Sequence, residues 1–127
     1  MNRINIIFNI IISILVYLLG FIDNLLITLF IFIIIDYITG LCKGIYDHKL
    51  SSKVSIKGII KKFGYIVIVV ISTLFDRLTN DSSFAIRTII IYFFIANEAL
   101  SIIENWAYMG LPLPKKLYDV FNKLKDE

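Results

Sequence analysis

Apolar residues run through four long stretches, at about 4–19, 25–42, 57–76 and 84–104, and a polar break separates each from the next. None shows the strict alternation of a half-buried strand, so the pattern predicts helices. A helix crossing a membrane needs about 20 mostly apolar residues, each advancing about 1.5 Å through a hydrocarbon core of about 30 Å. The second and fourth stretches reach that length outright, and the first is marginal. The third reaches it when extended backwards through Ile59 and Ile60, with Lys57, Lys61 and Lys62 snorkelling their amines to the interface. The expected fold is an all-α integral membrane protein. It is a small multi-pass bundle, with four transmembrane helices as the first reading and three as the alternative. In the alternative the first stretch lies in the interface, since Asn5, Asn9 and Ser13 recur every four residues as a narrow polar stripe.

After Gly110, Leu111-Pro112-Leu113-Pro114 interrupts the helical pattern. Beyond it, Leu117, Val120, Phe121 and Leu124 recur at helical spacing opposite Lys116, Asp119 and Lys123, which predicts a short amphipathic tail. The division is therefore a transmembrane domain over 1–110 and a cytoplasmic tail over 111–127.

Composition narrows the class. With 58% hydrophobic residues and a mean hydropathy of +0.83, an ordinary water-soluble domain is ruled out. The 127 residues allow one domain and no separate catalytic module. Met1-Asn2-Arg3 before an apolar run mimics a secretory signal, but no small-residue cleavage site follows Gly20, so the segment reads as a retained signal-anchor-like helix.

Charge gives a topology. With four crossings, 11 of the 13 Lys and Arg residues fall on one side: Arg3, the basic loop over 43–62, and the tail. The positive-inside rule then puts both termini in the cytoplasm. Gly20–Asn24 and Asp76–Ser83 become outer hairpins, the second rich in residues that cap a following helix. Lys53, Lys57 and Lys61 share one helical face in the basic loop. That face is either an amphipathic surface for anionic lipid or a plain topology signal.

Candidate chemistry is sparse. Cys42 is the single cysteine and His48 the single histidine, and neither belongs to a cluster with metal spacing. No nucleophile–base pair or phosphate loop is present, so no enzyme, cofactor, metal or nucleic-acid partner is expected. What stands out is Asp36 and Glu98 inside apolar stretches, where an acid costs roughly 2.5–3.5 kcal/mol to insert. Asp36, Thr39, Gly40 and Lys43 share an arc of about 100° on the second helix; Asn97, Glu98, Ser101, Glu104 and Asn105 share about 120° on the fourth. Arg87 lies on the same arc, cut off by Ile90 and Phe94, and reads as a weaker candidate or an interfacial anchor. Lys43, Lys61 and Lys62 approach at the depth of the acids. Asp36 and Glu98 are expected to engage these lysines or the polar groups of each other's helix, as helix-pairing or pore residues.

The run Asn97-Glu98-Ala99-Leu100-Ser101-Ile102-Ile103-Glu104-Asn105, followed by Gly110-Leu111-Pro112-Leu113-Pro114, resembles the C-terminal signature of the clostridial toxin-secretion and phage-lysis holins. Asp36-Tyr37-Ile38-Thr39-Gly40 resembles an aspartate–threonine–glycine motif of that family. Leu50-Ser51-Ser52, Gly58, Lys61-Lys62 and Asp76 are similar to its loop and third helix. The similarity covers roughly residues 30–115 in order, while the first twenty-odd residues match only as a hydrophobic segment. The resemblance implies a homo-oligomer in the lipid of the bacterial cytoplasmic (inner) membrane that opens lesions, releasing an endolysin or exporting a large toxin. Two other functions fit the residues themselves: a small ion channel or transporter with Asp36 and Glu98 as ion sites, and a structural subunit of a larger membrane complex.

Overall fold

The computed structural model describes residues 2–49 and 52–125. Five helices follow one another: α1 (Arg3–Leu19), α2 (Asn24–Tyr46), α3 (Ser52–Leu78), α4 (Ala85–Tyr108) and α5 (Lys115–Lys125), and no strand occurs among the described residues. Three are long and apolar enough to cross a membrane: Asn24–Tyr46, Ser55–Leu78 and Ala85–Tyr108. The 17 residues of α1 form a shorter apolar helix, about 25 Å at the usual rise.

The helix ends follow local chemistry. Gly20 closes α1 with φ +94, a conformation that glycine adopts at little cost. The Asp23 side chain then caps α2 by accepting from the Leu26 amide at 3.0 Å. Pro112 and Pro114 fall in the break between α4 and α5. Trp106 Nε1 fastens that break by donating to the Pro112 carbonyl at 3.0 Å.

The largest departure from the apolar pattern is in the basic segment. The pattern predicts a loop over 43–62 and a third helix from 57, but α2 continues to Tyr46 and α3 is already helical at Ser52. Lysines do not end a helix when their stems can lie along it and their amines reach water, and Lys43 in the last turn of α2 complements the helix dipole. The basic residues therefore decorate the ends of two long helices, and the break is a few residues long. Leu50, Ser51 and the side chains of Lys53, Val54, Phe121 and Leu124 lie outside the described residues, and with them one lysine of the basic face and part of the tail's apolar stripe; Lys57 and Lys61 of that face are exposed. In α5, Leu117 and Val120 are exposed.

The bundle is organised around α4. α2 packs along it in parallel, and α3 packs against it in the opposite direction. α1 touches α3, with Leu19 its one buried residue, while residues 2–15 are exposed. The core joins Leu19, Leu26, Leu29, Tyr65, Val69, Ile91 and Phe94, with the Tyr65 and Phe94 rings stacked at 4.1 Å. On α4 the buried positions Arg87, Ile91, Phe94, Glu98 and Asn105 follow helical periodicity. One face thus carries polar residues at both ends and apolar ones between.

Candidate functional site: two buried charged layers

Asp36 of α2 and Glu98 of α4 meet across the bundle through Lys62 of α3. The Lys62 amine donates to Asp36 Oδ2 at 2.6 Å and to both carboxylate oxygens of Glu98. Glu98 is 0% exposed and Asp36 is buried. Asn105 Nδ2 donates to the other Asp36 oxygen at 3.2 Å and to Thr39 Oγ1 at 3.0 Å, and that hydroxyl donates to the Asp36 carbonyl at 3.1 Å. Gly40 borders this layer, where an added Cβ would lie 3.8 Å from Asn105 Nδ2, an ordinary van der Waals contact. Next to it, Asn97 donates to the Tyr65 hydroxyl.

This layer gathers Asp36, Thr39, Gly40, Asn97, Glu98 and Asn105, and Ser101 lines the groove that opens from it. Of the three nearby lysines, Lys62 makes the ion pairs. Lys43 lies over the Tyr108 ring at 4.4 Å, and Lys61 is 5.9 Å from the Tyr65 ring centroid. Glu104 is exposed and stands apart.

A second charged layer sits at the other end of the bundle, around Arg87. Its position on the polar arc suggests a peripheral anchor, yet Arg87 is 1% exposed. Its guanidinium grips Asp23 with two nitrogens, at 3.2 and 3.1 Å, and also donates to the carbonyls of Leu19 at 2.6 Å and Phe21 at 2.9 Å. Asp76, fully buried at the end of α3, accepts from the backbone amides of Ile86 and Arg87 at 3.3 and 2.9 Å. It satisfies amides that the N-cap residue cannot, because Phe84 has left-handed backbone geometry and offers no side-chain acceptor. Asp81 satisfies the Ala85 amide at 3.3 Å and the Ser83 amide at 2.9 Å. Arg77 adds hydrogen bonds to the carbonyls of Tyr17 and Gly20.

Electrostatics in this turn region follow from the contacts. Burial acts to raise the Asp23 carboxyl, but the hydrogen bonds from Arg87 and the Leu26 amide outweigh it and hold Asp23 below its ordinary value. Hydrogen bonds from the side chain and backbone of Ser83 likewise lower Asp81.

The importance of Arg87, Asp23 and Asp76 is the part that periodicity underweights. The signal was nonetheless present: an arginine in an apolar helix needs partners, and acids sit beside the turns at both ends it can reach. Among the described residues, no three His, Cys, Asp or Glu side chains are grouped to hold a metal ion.

A helical bundle that spans a membrane several times and buries a charged layer near each end is a small membrane protein with polar groups held at depth. The chain belongs to the bacteriophage holin family, whose model matches residues 13–126. It is 38% identical over 92 residues to an uncharacterised 14.9 kDa protein of Clostridium perfringens, covering 72% of this chain and 70% of that one. It is 36% identical over 91 residues to an uncharacterised protein of Clostridium acetobutylicum, covering 72% and 73%. A third relative, an uncharacterised protein of Listeria monocytogenes, is 39% identical over 82 residues, covering 65% and 58%. No solved structure matches the chain.

Proposed function

We propose that this chain assembles as a homo-oligomer in the bacterial cytoplasmic membrane and opens nonselective lesions, through which an endolysin is released or a large toxin exported. Family membership supports a holin-type membrane protein. The observation that carries the reading further is the layer in which one lysine, Lys62, ties together two carboxylates, Asp36 and Glu98, from different helices.

Such a layer is tolerable in hydrocarbon because its members satisfy one another. Three helices supply it, so a rearrangement of any one of them exposes charge. In a single copy that exposure faces lipid and is unfavourable. In a large assembly the same groups line water. The cluster therefore favours a closed bundle in isolation and a wet interior once many copies gather. Thr39, Gly40 and Ser101 suit close helix approach and interhelical hydrogen bonding during that exchange.

The test is induction of the full chain together with a cytoplasmic wall-degrading enzyme. The expected outcome is arrest of growth followed by release of the enzyme to the wall. Growth that continues with the enzyme retained at high levels of the membrane-inserted chain overturns the proposal. Saturable, ion-specific flux in liposomes, in place of leakage of large solutes, would assign a channel or transporter.

A further inference from the structure

α2 and α3 both pack on α4 and leave an open groove of about 620 Å³ between them. That volume falls within the roughly 300–1,000 Å³ typical of ligand sites. The groove has two chemistries. Ile33 and Ile34 of α2 and Ile59 of α3 line it with hydrocarbon, whereas Lys49 and Lys61 bring ammonium groups. Both lysines are exposed, and neither has a carboxylate within ion-pair distance among the described residues. The carboxylate that also borders the groove, Asp36, is already engaged by Lys62 and Asn105. A free basic site thus remains over an apolar cleft.

We propose that this groove binds an anionic glycerophospholipid, with its phosphate held by Lys49 and Lys61 and an acyl chain lying against Ile33, Ile34 and Ile59. Basic pockets between membrane helices suit anionic head groups, and lysine is an effective point-charge partner for phosphate. A zwitterionic lipid brings its own cation beside the lysines and loses that advantage. A second copy's α1, an apolar helix exposed along residues 3–15, is a poorer complement because it contains no acid between Arg3 and Leu19. The proposal needs the chain to lie in a membrane but does not need it to open lesions.

Spin-labelled phosphatidylglycerol and spin-labelled phosphatidylcholine, compared in proteoliposomes of the full chain, test the site. The motionally restricted fraction in the electron paramagnetic resonance spectrum should favour phosphatidylglycerol. Lys49→Gln with Lys61→Gln should lower that preference by about fivefold per lysine, while Lys115→Gln with Lys116→Gln in α5 should leave it intact. Gly58→Phe fills the groove from a position where an added Cβ meets nothing within 4 Å. It should reduce restricted phosphatidylglycerol with every charge retained, in a chain whose circular dichroism is unchanged. Equal restriction of the two lipids by the native chain overturns the proposal. So does an equal loss from the α5 pair, which would indicate diffuse surface attraction. A Gly58→Phe change in self-association that leaves lipid preference untouched overturns it in favour of a second copy in the groove.

Discussion

Lys62 has one charge with which to satisfy two carboxylates, Asp36 on α2 and Glu98 on α4, and its stem must reach both from α3. Removing it leaves Asp36 and Glu98 buried without a cation. Breaking such a cluster by deleting one partner typically costs about 3–5 kcal/mol. Lys62→Met is therefore expected to destabilise the detergent-solubilised chain by about 3 kcal/mol, whereas the exposed Lys61→Met should change it by less than about 0.5 kcal/mol. Thermal unfolding followed by circular dichroism distinguishes them, and equal effects would show that the ion pairs do not hold the bundle. At the opposite end, Asp23 lies below its ordinary value of 3.8. A carboxyl depressed on folding contributes stability that is fully present above its unfolded value and is lost as pH falls through the folded one. Acid titration below about pH 4 should thus loosen the native chain. Asp23→Asn should flatten that part of the curve; an unchanged curve would assign the acid sensitivity elsewhere.

Among the elements, α1 and the turn after it depend most on a single residue. Gly20 combines φ +94 with a neighbour that leaves no room: a Cβ there would stand 2.6 Å from Arg87 Nε. Gly20→Ala meets both the backbone penalty and displacement of the guanidinium from Asp23 and two carbonyls. A loss of at least about 1 kcal/mol is expected. Gly58→Ala, in the interior of α3 with open space around it, should instead gain up to about 1 kcal/mol of helix stability. Unfolding measurements on the two variants in the same detergent should give opposite signs, and two losses of equal size would remove the Arg87 contact as the reason. The exposed polar stripe of α1 makes no such demand, since Asn5 and Asn9 are exposed and Ser13 bonds back to the Asn9 carbonyl at 2.8 Å.

At the scale of the whole molecule, the two charged layers lie about 16 Å apart along α4, measured from Arg87 to Glu98 at the usual rise, with an apolar core between them. Each layer ties together segments from at least three parts of the chain, so each reports on the integrity of the bundle. If the Asp36 layer sets how assemblies open, Asp36→Asn should shift the time of lysis in the co-expression assay well beyond any effect of the exposed Asp119→Asn. Equal timing in the two variants would separate the intramembrane cluster from lesion formation.

Helical character, membrane class and the residues too costly to leave in lipid were legible in the order of apolar and polar positions. These are properties of local periodicity and transfer energy, and they need no knowledge of which helix neighbours which. Asp36 and Glu98 stood out for that reason, and so did Gly20 as the end of a segment. The lengths of α2 and α3 were less legible, because lysines that read as a loop can extend a helix when their amines reach water. The tertiary structure alone decided that Lys62 rather than Lys43 or Lys61 bridges the acids, and that Arg87 belongs to the interior. It also made Asp76 cap a helix ten residues later in the chain. Those outcomes depend on the parallel seating of α2 on α4 and on the reversed seating of α3. Packing of side chains across the bundle sets them, and no spacing along the chain encodes them.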